Sequence, residues 1–153
     1  MNIKQIVIKQ YQDIVNAKVD FRNMSIPIEG WLRTARKALN MSGSQLARRI
    51  GVSRAWVSKV EISELNGTVT LQSMARIANA MNCHFVYAVV PKQQVEEILL
   101  EHALKKASKI VQQANLQMAL EDQTVDNDMI QFEIKRIARK LVDDMPLDFW
   151  DES

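Results

Sequence analysis

Cys83, His84 and His102 are the side chains here whose types serve nucleophilic or metal chemistry most often. Cys83 adjoins His84, but a metal site needs three or four converging ligands, and no further ligand stands at a suitable spacing. A nucleophile would need a base and a third, orienting group, and no glycine-rich phosphate cradle is visible. The expectation is a chain that is not an enzyme and uses neither metal nor cofactor. Cys83 then reads as a small buried hydrophobe and His102 as a helix-surface residue. A different chemistry is spaced between Gly30 and Val60. That stretch carries Arg33, Arg36, Lys37, Arg48, Arg49, Arg54 and Lys59 and no acidic residue, in a 153-residue chain of formal net charge +2. The remainder is therefore net negative, and the end from Asp143 onward holds Asp143, Asp144, Asp148, Asp151 and Glu152 with no basic residue. A concentrated basic segment on a near-neutral chain suits a polyanionic partner.

Side chains of this kind need a rigid support, and Ser44 to Glu61 has the spacing of a helix-turn-helix. Two short helices crossing steeply need a small residue on the first, supplied by Ala47, and a turn residue four places on, Gly51. Leu46 and Ile50 fill the angle from one side and Val57 and Val60 from the other, with Val52 in the turn. With Val57 and Val60 facing inward, the opposite face near the start of the second helix carries Arg54, Ala55, Ser58 and Lys59, with Trp56 beside them. A helix N-terminus in a major groove presents its first turn to base edges. Arg54 can pair with guanine O6 and N7, and Ala55 can touch a thymine methyl. Lys59 suits either a guanine or a phosphate. Ser42, Ser44, Gln45 and Ser53 stand at helix starts, placed for phosphate oxygens. Trp56 either joins this surface or packs on its own domain, and Arg48 and Arg49 are either contacts or solvated charges. Trp31 reads as core.

The supporting elements are mostly helical. Four glycines and three prolines leave room for few turns. Ile3, Val7, Tyr11, Ile14 and Val15 mark a helix from Asn2 to about Phe21, and Ser25–Ile28 is an extended linker, since Pro27 disfavours helix before it. Helices are expected at Glu29–Leu39, at Ser44–Ile50 with Ser42 or Gly43 as cap, from Ser53 to about Ile62, and after Thr70. His84–Val90 reads as a single short strand stopped by Pro91. Its residues Phe85, Val86, Tyr87, Ala88, Val89 and Val90 have no partner strand in the sequence and are expected to pair with a second copy. A long helix through Val95, Leu99, Ala103, Ala107 and Ala114 follows, then a last one from about Asp126 to Pro146. The division expected is 1–28 as N-terminal helix and linker, 29–82 as the helix-turn-helix domain, and 83–153 as strand plus helical dimerisation or partner region. No apolar run reaches the roughly 18 residues of a membrane span, no signal-peptide core stands at the N-terminus, and one cysteine suits a reducing compartment. A cytoplasmic protein is expected.

Over about Glu29 to Met81 the chain resembles the lambda-repressor and Cro-like (Xre) family. The resemblance implies a structural ion pair between Arg36, on the first domain helix, and Glu61, at the end of the recognition helix. The whole chain resembles the family called mobile mystery protein A. The matching features are Gly30-Trp31, Arg36–Leu39 with Met41-Ser42, Ser44–Ser53, Val86–Pro91, Met118–Gln123 and Phe149–Glu152. That family implies a Fic-domain toxin protein as partner, usually one that transfers AMP. Some Fic antitoxins carry Ser/Thr-x-x-x-Glu-Gly/Asn on an inhibitory helix, and Ser25–Gly30 fits that pattern, although Pro27 sits badly in a helix and favours a plain linker.

The reading is a mostly α protein: a lambda-repressor-like helix-turn-helix domain with an N-terminal helix, one short dimerising strand and long C-terminal helices. It is expected to be a homodimeric, sequence-specific repressor of double-stranded DNA at an inverted-repeat operator, regulating an operon shared with a Fic-type partner. The alternative is an antitoxin acting mainly by sequestering that partner.

Overall fold

The computed structural model describes residues 1–120 and 126–152. Its helices are α1 (Ile3–Asn16), α2 (Trp31–Ala38), α3 (Gly43–Ile50), α4 (Arg54–Asn66), α5 (Leu71–Ala80), α6 (Val95–Leu120) and α7 (Asn127–Asp144), with a 3-10 turn at Val19–Asn23. The Glu121–Gln123 part of the Met118–Gln123 motif lies outside the described residues. No helix among the described residues is long and apolar enough to cross a membrane.

The chain divides into two compact units, Asn23–Ala88 and Met1–Arg22 with Val89–Ser153. In the first, α2 to α5 enclose Leu32, Leu46, Ala47, Val57, Val60, Met74, Ile77 and Met81, with Ile50 and Val52 packed against them. Local chemistry sets the helix ends. Ser42 caps α3, accepting from Gln45 N at 3.0 Å while Gln45 Oε1 accepts from Ser42 N at 2.8 Å, a reciprocal pair that satisfies two otherwise free amides. Gly51 closes α3 in the left-handed region at φ +83°. Ser53 caps α4 through Trp56 N, and Thr70 caps α5 through Ser73 N. Helix α4 runs on to Asn66, a full turn beyond the expected end at Ile62.

The second unit pairs α6 and α7 in antiparallel fashion, with Leu99, Ala103, Ala107, Ala138 and Phe149 buried along the seam. Alanines at the seam let two helix backbones approach closely. Helix α1 belongs to this unit. Lys4 Nζ donates to the Met145 carbonyl at 2.7 Å and Gln5 Nε2 to that of Asp143 at 3.0 Å, occupying free carbonyls at the end of α7. At its other end Asn16 Oδ1 accepts from Val95 N, the first amide of α6. These polar ends orient α1 so that Ile8 and Val15 are half-buried, while Ile3, Val7, Tyr11 and Ile14 of the stripe read from the sequence are exposed.

The strand expected at His84–Val90 is corrected. Among the described residues there is no strand: Phe85, Val86, Tyr87, Ala88, Val89 and Val90 are irregular. The β-branched and aromatic composition is there, but a ladder needs a second edge. Phe85 instead packs against the helix-turn-helix core and stacks on Tyr87, ring centres 5.7 Å apart. His102, expected on a helix surface, is half-buried: Nε2 lies 2.7 Å from the Phe149 carbonyl, and the ring stacks on Trp150. Trp31, expected in the core, is exposed, because it occupies the first position of α2 while Leu32 turns inward.

Candidate nucleic-acid interface

Helix α4 buries Val57, Val60 and Glu61 and exposes Arg54, Ala55, Ser58 and Lys59. The 3.6-residue period forces this division, since the inward residues recur three and four places apart. Arg54 lies over the start of α3: a Cβ placed on Gly43 would stand 3.9 Å from its Cγ and Nε. Arg54, Ser42 and Ser58 line one cleft of about 400 Å³ together with Arg33 and Lys37 of α2. Gln45 faces a neighbouring hollow with Arg48 and Arg49. Ser53 is exposed at the cap of α4, and Ser44 is half-buried in the first turn of α3. Trp56 is half-buried against the core, and the Arg76 guanidinium sits 5.4 Å from its ring centre.

The capping contacts leave a particular chemistry outward. The hydroxyl oxygens of Ser42 and Ser53 each accept from a backbone amide, and Gln45 Oε1 accepts from another. An O–H of each serine and the Nε2 amide of Gln45 therefore remain to donate. Among the described residues none of these donors has a partner. Donors at helix starts, beside Arg33, Lys37, Arg48, Arg49 and Arg54, are what phosphate oxygens require.

The frame behind this surface is ionic. Arg36 Nε donates to Glu61 Oε1 at 2.7 Å and Nη2 to Oε2 at 3.1 Å, while Nη1 donates to the Met41 carbonyl at 3.0 Å. The hydrogen bond to Glu61 raises the Arg36 pKa above its already high ordinary value. With both side chains largely buried, Arg36 is committed inward. Lys37 Nζ pairs with both oxygens of Glu29 at the rim of the cleft, and this hydrogen bond holds the Glu29 carboxyl below its usual range. Residues 32–87 match the family model described as Helix-turn-helix. They form a DNA-binding helix-turn-helix domain of the Xre and lambda-repressor-like kind, a regulatory family and not an enzyme family. No curated protein and no solved structure is significantly similar to the chain.

Several residues escaped the sequence reading. Glu64 accepts from Trp31 N at 2.6 Å and Leu32 N at 2.9 Å, so a carboxylate from α4 caps α2. Nothing local signals a cap that comes from 32 residues away. Arg33 and Lys37 were visible only as charge, and their place beside Arg54 depends on how α2 crosses α4. Arg49 Nε donates to the Ala80 carbonyl at 2.9 Å, which ties one of the two ambiguous arginines to the end of α5.

Proposed function

We propose that this chain is a sequence-specific repressor that sets α4 in the major groove of double-stranded DNA, as a cytoplasmic homodimer on an inverted-repeat operator. Arg54, Ala55, Ser58 and Lys59 read base edges, with Trp56 beside them on its packed footing. Ser42, Ser44, Gln45 and Ser53 hold phosphates and fix the register. Arg36 and Glu61 keep α2 and α4 in place and touch no DNA. The observation that carries this reading is the cationic surface around the start of α4, where the unpartnered donors of Ser42 and Ser53 stand near Arg54 and the two carboxylates present, Glu29 and Glu61, are paired with Lys37 and Arg36. A footprinting titration on the region upstream of its own coding sequence tests it. Protection of two half-sites about one helical turn apart, roughly 34 Å, is expected. Equal affinity for that region and for random duplex would overturn it.

The resemblance of Gly30-Trp31, Val86–Pro91 and Phe149–Glu152 to mobile mystery protein A supports a second role. On this reading the chain regulates an operon shared with a Fic-domain protein and also restrains that protein by binding it. Co-expression with a Fic protein encoded beside it should yield a stable complex, and separate elution of the two would exclude the second role alone.

A further inference from the structure

The basic stretch of the sequence begins just after Glu29, and the fold carries that carboxylate back onto it. Glu29 stands in a turn ahead of α2, closed by the hydrogen bond from Gly30 N to the Pro27 carbonyl at 2.9 Å. Arg33 and Lys37, one helical turn apart, share a face of α2. The Glu29 side chain reaches past Arg33 and takes Lys37 Nζ on both oxygens, at 2.8 and 3.0 Å. Among the described residues neither Arg33 nor Arg54 has a carboxylate partner. Of the two carboxylates lining the cleft beside Arg54, Glu61 is buried against Arg36 and Glu29 alone is exposed.

A half-exposed ion pair of this kind contributes little to stability, and 49% and 44% of the Lys37 and Glu29 side chains remain open to solvent. Its consequence lies in what Lys37 can still donate. An ammonium has three hydrogens, and here the carboxylate engages Nζ through both of its oxygens. A phosphate approaching Lys37 has to displace a group of its own sign. Glu29 stays ionised against it, because the Lys37 hydrogen bond holds its carboxyl below the usual range. We propose that Glu29 competes with DNA phosphate for Lys37 and keeps that ammonium out of the complex, an autoinhibitory contact that sets how tightly the domain holds any duplex. Phosphates carry no sequence information, so the restraint weakens operator and random DNA alike and leaves the preference to the exposed face of α4. The inference rests on the DNA-binding reading above.

Titrations of wild type, Glu29→Gln and the Glu29→Gln/Lys37→Gln double variant on operator and scrambled duplex, at about 50 and about 200 mM salt, test it. Both positions are exposed, so neither change disturbs a core, and circular dichroism melts should match wild type. Glu29→Gln should tighten both duplexes to the same degree and steepen the salt slope by about one unit, which makes its gain about 3-fold larger at the lower salt. Adding Lys37→Gln should abolish the gain. Unchanged affinity, or a gain that survives the second change, would overturn the competition. Lysine acetylation read by mass spectrometry follows the contact itself. DNA should leave the reactivity of Lys37 unchanged in wild type and protect it in Glu29→Gln, and an equal response in the two proteins would also overturn it. The two readings fail separately. A wild-type chain that prefers operator over scrambled DNA but does not respond to Glu29→Gln sinks the competition and spares the repressor. A Lys37-dependent gain without any preference for operator does the reverse.

Discussion

Arg36 and Glu61 form a two-pronged ion pair between α2 and α4, with both hydrogens of one guanidinium edge on the two oxygens of one carboxylate. The third contact, to the Met41 carbonyl, also fixes the turn that leads into α3. One guanidinium therefore holds the helix-turn-helix from its first helix to its recognition helix. Removing one partner of a largely buried pair strands the other charge, at a cost of about 3–5 kcal/mol. Arg36→Ala should lower the melting temperature of the chain by roughly 10 °C or more. Unchanged melting with weakened DNA binding would make Arg36 a phosphate ligand instead.

Glu64 and Gly30 are coupled at the start of α2. Gly30 holds φ at +84°, and a Cβ there would come within 2.9 Å of the Glu64 carboxylate. That carboxylate caps the amides of Trp31 and Leu32. Glu64→Ala should cost about 1–2 kcal/mol, as the loss of a helix cap does. Gly30→Ala should cost about 1 kcal/mol or more through its backbone alone. The two changes should not add: Gly30→Ala should be milder once Glu64 is alanine, because the clash is gone. Additive losses in denaturant titrations would show that the two residues do not meet.

Phe149 is the plug of the helical unit, 1% exposed among Leu99, Ala103, Ala107 and Ala138. Phe149→Ala should destabilise that unit by about 3–5 kcal/mol, the range for deleting a buried aromatic ring. Trp150→Ala should cost less, since Trp150 is half outside and mainly stacks on His102. Equal effects of the two changes in thermal melts would mean that the tail is bound through its tryptophan.

Helices were legible where periodicity and caps agree. Ser42, Ser53, Thr70 and Gly51 mark boundaries by their own side chains or backbone, and the inward set Leu46, Ala47, Val57 and Val60 follows from spacing alone. The misreadings share one cause. Whether His84–Val90 forms a strand, which face α1 buries, and where His102 goes all depend on a partner far away in sequence. The stripe Ile3, Val7, Tyr11 and Ile14 has the right period for burial, yet the contacts of Lys4, Gln5 and Asn16 set the roll of α1. Periodicity states that a face is apolar and does not state what lies opposite. The same limit hid Glu64, whose capping role comes from the crossing of α2 and α4, and the pairing of Arg33 and Lys37 with the start of the recognition helix.

On the proposed reading Arg54 reads bases while Gln45 holds a phosphate. A bidentate arginine–guanine contact discriminates by roughly 1–3 kcal/mol, whereas loss of a phosphate contact weakens all sequences alike, and only a cationic phosphate contact adds about one unit to the salt slope. Paired titrations of wild type, Arg54→Ala and Gln45→Ala against operator and scrambled duplex over a salt series measure both quantities. Arg54→Ala should lose about 10-fold or more in operator affinity and little on scrambled DNA, and Gln45→Ala should weaken both duplexes to the same degree. If Arg54→Ala weakens both equally and flattens the salt slope, Arg54 is a backbone contact and α4 does not read sequence through it.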